Sequence, residues 1–430
     1  MAAATFDPLG ISARINEAVV EQHAEGAAFL WLLRDEAVNR APHFRLADIA
    51  RLDERVEAHL DGLRIAGDHG WRLCARALEL GEPGETFTAA ALAFAAGDAG
   101  RREQVLAAAL TAPPLARALV SAVGWCEPAL VEREIRGWLA AAQALLQRLG
   151  LAAAAAHRID PGGRLAELLQ SPDPPARARA LRSAGELGRA DLLRHVARGL
   201  ADGDAPCRLE AALAAARLGS RDPQVAWELE AAVDRGGADA PRALGTLSRV
   251  LAPSAARALA ERLAQDAATR TLAARSVGMI GLPELVPALF PWMAQDELAR
   301  VAGEAFSMVT GVDLAHDDLE RDPPEGFRAG PADTADDEDV ALDPDEDLPW
   351  PDPELVAKRW SEIQARFAPG KRHLLGQPVS PDAARDALRA GFQRQRAAAA
   401  LELALLQPGV PSFEVRARGS RQRRALAAAG

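Results

Sequence analysis

The chain has 430 residues, of which 49% are hydrophobic but only 4% aromatic, and its formal net charge is −11. Small aliphatic residues with few β-branched runs favour tightly packed helices and argue against a sheet-based fold. Residues 317–354 contain 16 Asp or Glu and two Arg, a net charge of −14, so the rest of the chain has a net charge of about +3 (−11 + 14) and a general affinity for nucleic acid phosphates is not indicated.

Residues 1–84 predict an N-terminal helical cap. The stretch "FLWLLRDEAV" places Phe29, Leu33 and Val38 near helical spacing, and "LDERVEAHLDGLR" belongs to a long amphipathic pattern. Because the first unit of a repeat array exposes an apolar face, we expect these helices to cover that face.

The sequence predicts a cytoplasmic protein. The first residues lack a basic start followed by an apolar core, so no signal peptide is predicted, and no run approaches the ~20 apolar residues of a membrane span. Cys74, Cys126 and Cys207 lie far apart and form no CxxC pair, which is typical of structural thiols in a reducing compartment.

Residues 85–316 predict an array of helix pairs with a period of about 31 residues. A helical pattern lies between the Arg and the Gly of each signature, and a second amphipathic run follows every Gly except the last. Two helices per period of this length are typical of an α-solenoid. Four segments share the spacing Asp-x3-Arg-x10-Gly: Asp173/Arg177/Gly188, Asp204/Arg208/Gly219, Asp266/Arg270/Gly281 and Asp296/Arg300/Gly311.

Each residue of this signature has a physical role in such an array. An Asp at the helix start accepts hydrogen bonds from free backbone N–H groups. A Gly at the helix end adopts a left-handed conformation without a steric penalty. The Arg lies one turn after the Asp, so we expect it to pair with that Asp or with the equivalent Asp of the next unit.

The pattern of these positions resembles HEAT repeats, in particular the short bacterial form related to phycobilin-lyase repeats. The resemblance covers about residues 85–316 and implies an all-α fold, namely a HEAT-like α-solenoid of helix pairs with helical caps at both ends. Such arrays serve mainly as protein-binding scaffolds and only occasionally as enzymes.

Residues 317–352 predict an acidic, proline-rich insertion between the two helices of the last unit. Asp343, Asp345 and Asp347 alternate as in a calcium loop, but no Gly follows at the turn and no Glu stands at the twelfth position. Two other interpretations stay open. The segment is a solvated spacer, because charge and proline oppose burial, or it is an arm on which Trp350 and the three aspartates bind a basic partner or the chain's own tail "RARGSRQRR".

Residues 353–430 predict C-terminal helices and a basic tail. The stretch "PELVAKRWSEIQARF" places Val356, Trp360, Ile363 and Phe367 on one helix face. Further along, "PDAARDALRAGFQRQRAAAALELALL" predicts one or two helices, and "PSFEVRARGSRQRR" predicts a short strand followed by the tail.

The order of these segments is similar to that of a family of uncharacterised bacterial HEAT-repeat proteins, whose genes often lie beside type VI secretion components. The similar motifs are "FLWLLRDEAV", "LDERVEAHLDGLR", "FSMVTGVDL", "LPWPDPE" and "RQRAAAALEL". The resemblance implies an accessory role in type VI secretion, with a secretion-system component or an effector as the partner. It assigns no catalytic residue.

No catalytic, cofactor-binding or metal-binding residues are predicted. The eight histidines are scattered, and the sequence contains no Gly-rich phosphate loop, GxSxG, HExxH or CxxC motif. We therefore expect a non-catalytic scaffold or adaptor without a cofactor, which binds another protein and neither nucleic acid nor a membrane. Two alternatives stay open: an enzyme on a HEAT-repeat scaffold, similar to a bilin lyase or a DNA glycosylase, and a structural helical protein whose ends self-associate.

Overall fold

The computed structural model describes residues 15–327 and 343–428. Within these two ranges the chain forms 22 α-helices, short 3-10 helices and one two-stranded hairpin, so the predicted all-α class is confirmed. The chain divides into two compact units, one made of Met1–Leu33 with Leu52–Val131 and the other of Arg34–Arg51 with Glu132–Gly430.

The first unit is centred on a helix that is almost entirely buried. The first seven helices are α1 (Glu17–Asn39), α2 (Leu46–Ile65), α3 (Asp68–Ala77), α4 (Pro83–Ala96), α5 (Ala99–Ala109), α6 (Pro113–Trp125) and α7 (Pro128–Ala140), of which α1, α2 and α7 have residues in both units. Helix α4 packs against α3, α5 and α6. Its ten buried residues include four alanines and one glycine beside Phe87 and Phe94, and the small side chains let neighbouring helices approach closely.

Of the three residues predicted on the apolar face of α1, only Val38 is buried. Phe29 and Leu33 are 66% and 37% exposed, whereas Trp31 is fully buried. The Trp31 ring stacks on Phe87 with 4.9 Å between centroids, and its indole N–H donates to Ser121 Oγ at 3.0 Å. Helix α1 is apolar on more than one side, and the inward side is the one that gives the largest ring both a stacking partner and a hydrogen-bond acceptor.

Helices α1 and α2 contact each other through a reciprocal histidine–glycine arrangement. His23 Nδ1 and His59 Nδ1 lie 3.3 Å apart. A Cβ atom at Gly26 would clash with the His59 ring, and one at Gly62 would lie 2.6 Å from the His23 ring. Each helix therefore needs its glycine to make room for the other helix's imidazole. Burial, together with the neighbouring His23 and Arg55, lowers the pKa of His59.

The second unit contains the remaining helices and both strands. They are α8 (Ala144–His157), α9 (Gly163–Leu168), α10 (Pro174–Glu186), α11 (Leu193–Arg198), α12 (Ala205–Arg217), α13 (Pro223–Arg235), α14 (Ala240–Val250), α15 (Pro253–Gln265), α16 (Arg270–Ile280), α17 (Phe290–Met293), α18 (Asp296–Thr310), α19 (Pro353–Ile363), β1 (His373–Leu374), β2 (Gln377–Pro378), α20 (Pro381–Ala390), α21 (Gln393–Leu406) and α22 (Gly419–Ala428).

Alternate helices of this unit pack against one another in chain order. Helix α10 contacts α8 and α12, α14 contacts α12 and α16, and α18 contacts α16. We call α8, α10, α12, α14, α16 and α18 the helix row. Within it, a Cβ atom at Gly185 would lie 2.8 Å from Ala214 Cα, and one at Gly278 would lie 3.0 Å from Ala305 Cα. Glycine and alanine at these contacts set the short distance between successive helices of the row.

The C-terminal residues run back along the helix row, which the expectation of a simple C-terminal cap did not include. Helix α21 contacts α12 and α14. The four signature glycines end helices of the row with φ between 65° and 86°, and a side chain on any of them would meet residues 373–376 or 408–410. These glycines are Gly188, Gly219, Gly281 and Gly311. They therefore combine helix termination with close contact to the returning chain.

A buried ion-pair network holds α21 on the row. Glu402 accepts from Arg249 Nε of α14 at 2.8 Å and also pairs with Arg372. The side chains of Arg249 and Glu402 are only 2% and 3% exposed. The three residues are far apart in sequence, so no local pattern indicated their pairing.

Helix α19 buries the predicted residues, although Phe367 lies beyond its last residue, and the predicted strand near the C-terminus does not form. Val356, Trp360, Ile363 and Phe367 are all buried in one cluster with residues of α16, α17 and α18. In the stretch "PSFEVRARGSRQRR", residues 411–414 have no regular secondary structure, residues 415 and 416 lie in a turn, and the basic residues from 419 onward belong to α22.

Candidate functional site

The signature aspartates lie at helix starts, although they do not all cap in the same way. Asp173 and Asp204 are the N-caps of α10 and α12, and each accepts from the backbone N–H three residues on, at 2.9 and 3.0 Å. Asp266 accepts from a backbone N–H at 3.0 Å in the 3-10 turn that leads into α16. Asp296 is the first residue of α18 instead of its cap, and its carboxylate pairs with Arg321 at 2.9 Å.

The predicted pairing of the signature arginines is wrong. Arg177 donates through Nε and Nη2 to Asp202 at 2.6 and 2.8 Å, and Arg208 pairs with Glu228 at 3.2 Å. In α10 and α12 the N-cap carboxylate already accepts from a backbone N–H group, so the guanidinium pairs with a different carboxylate. Arg270 is exposed and has no ion-pair partner in the part of the chain that the structure describes.

The two described ends of the acidic insertion are fastened to each other. Glu320 and Pro351 form an isolated β-bridge. Trp350 is only 6% exposed and lies against Phe327, with 4.9 Å between ring centroids, and the guanidinium of Arg300 lies 5.0 Å from its ring centroid. Residues 328–342, the middle of the insertion, lie outside the described residues.

Asp343 and Asp345 join an ion-pair cluster on the helix row. Arg300 of α18 donates to Asp343 at 2.6 Å. Asp345 accepts from Arg275 of α16 at 2.9 Å and from Arg394 of α21 at 2.7 Å. Residues 343–350 are therefore neither a solvated spacer nor bound to the basic tail. They dock on arginines of this chain's own helices.

Electrostatics in this cluster favour the charged form of Asp343 and disfavour the charged form of Glu304. Burial alone would raise the pKa of Asp343. Hydrogen bonds from the Asp345 N–H and from Arg300 nevertheless hold that pKa below its usual value. Glu304 of α18 pairs with Arg394 at 3.0 Å. Burial nevertheless raises the pKa of Glu304, and the neighbouring Asp345 carboxylate adds to that effect while Arg394 opposes it.

A cavity of about 430 Å³ lies next to the cluster, and Glu304 and Arg394 belong to both. Five stretches of the chain line it: residues 42–45, 304–315, 347–349, 374–377 and 383–395. Much of the wall is apolar, and these side chains include Val312, Leu314, Leu348, Leu374 and Phe392. This volume and composition are those of sites that bind small molecules or single side chains of a partner.

Charged residues form the rim of the cavity. Arg45 pairs with Asp313 at 3.2 Å, and its guanidinium lies 4.0 Å from the centroid of the Phe392 ring. His43 Nδ1 lies 3.0 Å from Asp347 Oδ2, and the Asp347 side chain is 51% exposed. Of the four residues that the sequence proposed for partner binding, only Asp347 lines the cavity.

Sequence reasoning named neither the cavity nor most of its residues. Arg45 and Asp313, which pair across the rim, are 268 positions apart, and no spacing rule connects them. One indirect indication was present. Three of the five motifs that carry the family resemblance, "FSMVTGVDL", "LPWPDPE" and "RQRAAAALEL", contribute lining residues to this one cavity.

No protein-family model and no curated protein matches the chain. In residues 15–327 and 343–428, no group of three or more His, Cys, Asp or Glu side chains is placed to hold a metal ion. None of the helices formed by those residues is both long enough and apolar enough to cross a membrane.

Proposed function

We propose that the chain is a non-catalytic protein-binding scaffold or adaptor, and that the cavity beside the Asp345 cluster is where a partner docks. The observation that carries this proposal is the convergence of three separated sequence motifs on one apolar cavity. Distant stretches of a chain that supply the walls of the same cavity are typical of a preformed binding site.

We further propose that residues 85–316 form a HEAT-like α-solenoid that presents this site. Two observations support the proposal: the in-order packing of the helix row, and its small-residue contacts at Gly185 and Gly278. A rigid array of this kind holds the residues of a binding site in place without an ordering cost at the moment of binding.

Two of the carboxylates that line the cavity are held in ion pairs. Glu304 is engaged by Arg394, and Asp313 is engaged by Arg45. Groups held in such pairs fix the geometry of the cavity rim, which suits the recognition of a partner by a preformed site.

As the partner we propose a component or an effector of a bacterial type VI secretion system. The support is the resemblance of the five motifs, three of which meet at the cavity. The proposed partner is thus a protein, and the proposed point of contact is the cavity.

Affinity capture with cavity variants tests the proposal. Ala390 lines the cavity and is exposed, so Ala390→Trp fills the mouth without disturbing the core. Ala258→Trp, at an exposed position of α15, is the matched control. From a native lysate of the organism that encodes the chain, we expect the wild type and Ala258→Trp to retain the same protein and Ala390→Trp to lose it.

Mass spectrometry of the retained protein identifies it. Equal retention by all three proteins would place binding elsewhere and contradict docking at the cavity. A retained protein that is unrelated to secretion would contradict the proposed type VI role alone.

A further inference from the structure

The charges around the cavity are unbalanced. Four carboxylates line it, from Glu304, Asp313, Asp347 and Asp386, against two guanidinium groups, from Arg45 and Arg394. With His43 neutral the lining therefore has a net charge of −2. A cavity with this balance repels anions and attracts a cation.

Counting Arg389, which lies outside the lining, only one of the four carboxylates has no arginine partner among the described residues. Three of the four carboxylates have an arginine partner, since Asp386 pairs with Arg389 at 3.0 Å in addition to the two pairs described above. Asp347 differs, because within the described residues its only ion-pair partner is His43, and that contact is an ion pair only while His43 is protonated. Asp347 is also half-exposed, so an incoming cation can reach it.

The walls require more than a charge from the occupant. Leu314, Leu348 and Phe392 present apolar surface that a small hydrated cation cannot cover. An occupant that satisfies both features has an apolar group for the walls and a positive group for Asp347. Lys and Arg side chains suit the rim, because their aliphatic stems lie along apolar surface while their charged ends stay in water.

We infer that the cavity binds a peptide segment of a partner protein, in which an apolar side chain enters the cavity and a neighbouring Lys or Arg pairs with Asp347. This inference rests on the proposed scaffold function and adds the chemistry of the partner. The apolar side chain supplies most of the buried contact, and the cation fixes the orientation of the peptide.

A phage-displayed library of random 12-residue peptides, selected against the full chain, tests the inference. We expect the enriched peptides to share an apolar residue within two positions of a Lys or Arg. Their affinities, measured by fluorescence anisotropy with labelled synthetic peptides, are expected to fall about tenfold or more in Asp347→Lys and in Ala390→Trp. Glu346→Lys is the matched control, because Glu346 is exposed, adjacent in sequence and absent from the cavity wall, and we expect less than about a twofold change.

A charge swap separates a lost contact from a misfolded variant. Replacing the peptide's Lys or Arg with Glu is expected to restore affinity for Asp347→Lys and to reduce it for the wild type. Three results would overturn the inference: enriched peptides that lack the apolar–basic pair, no enrichment at all, or affinities that are the same for the wild type and both cavity variants. If the lysate experiment still captures a cavity-dependent partner in that case, the scaffold function stands and only the peptide chemistry fails.

Discussion

Asp345 is the residue whose loss should release the acidic segment from the helix row. It is buried and accepts from Arg275 at 2.9 Å and from Arg394 at 2.7 Å. Each hydrogen bond between charged groups contributes about 1.5–3 kcal/mol to stability. Asn in place of Asp keeps one acceptor, and it also removes the repulsion that helps to raise the pKa of Glu304. For Asp345→Asn we therefore expect the free energy of local opening to fall by about 2–3 kcal/mol.

Hydrogen exchange measured by mass spectrometry is the assay. The Leu348 N–H donates to the Asp345 carbonyl at 3.1 Å, and the Asp352 N–H donates to the Leu319 carbonyl at 2.9 Å, so peptides covering 343–352 report the opening directly. A loss of about 2–3 kcal/mol corresponds to exchange that is roughly 30- to 150-fold faster in this segment. Glu346→Gln, at an exposed carboxylate, is the control and should leave exchange unchanged.

Two results would refute the reasoning. If Asp345→Asn and the control exchange alike, the arginine contacts do not hold the segment. If protection is lost equally in α16 and α18, the aspartate stabilises the whole unit and not the segment.

Three further predictions concern the stability of the two units. Glu402→Ala leaves the buried Arg249 and the partly buried Arg372 without their carboxylate, so we expect a loss of about 3–5 kcal/mol in urea denaturation. A smaller loss is expected in Glu402→Gln, which retains an acceptor. Gly281→Ala is expected to destabilise the protein by about 1–3 kcal/mol, because φ is 74° and the new Cβ meets the His373 carbonyl. The control Gly245→Ala, inside α14, should be neutral or stabilise by up to about 1 kcal/mol. Equal effects of the two substitutions would contradict the role assigned to the signature glycine. The folded state lowers the pKa of His59 and so favours its neutral form. Stability should therefore fall as the pH drops from about 6.5 toward the lower folded-state pKa. In His59→Gln, the thermal unfolding temperature measured between pH 7 and 5 should lack this dependence on pH.

The sequence was sufficient for the features that depend on local periodicity. The all-α class follows from composition and helical spacing, and the buried face of α19 was predicted at Val356 and Trp360. Helix α1 shows where periodicity fails. It is apolar on more than one side, so only the stacking and hydrogen bonding of Trp31 determine which side faces inward.

Long-range charge pairing and the return of the C-terminal residues were beyond local rules. Arg177 has an Asp one turn before it, yet its guanidinium pairs with Asp202, because the nearer carboxylate caps a helix. Arg249 and Glu402 are 153 positions apart, so no rule based on local spacing predicts that they pair. The cavity is formed by long-range ion pairs and by the returning C-terminal residues. The sequence therefore contained the motifs that line the cavity but did not indicate that they lie together.

The acidic segment contributes both to the ion-pair cluster on the helix row and to the wall of the cavity. Asp345 fastens the segment to the helix row, and two residues further on Asp347 and Leu348 form part of the cavity wall. A ligand that binds only the fastened form stabilises that form in proportion to its affinity. A peptide that fills the cavity at 100 times its Kd should therefore slow hydrogen exchange of residues 343–352 by about 100-fold, equivalent to about 2.7 kcal/mol. Asp345→Asn should weaken the same peptide although Asp345 does not line the cavity, because part of the binding energy goes into refastening the segment. Unchanged exchange at saturating peptide would show that the cavity wall does not include this segment in the bound state.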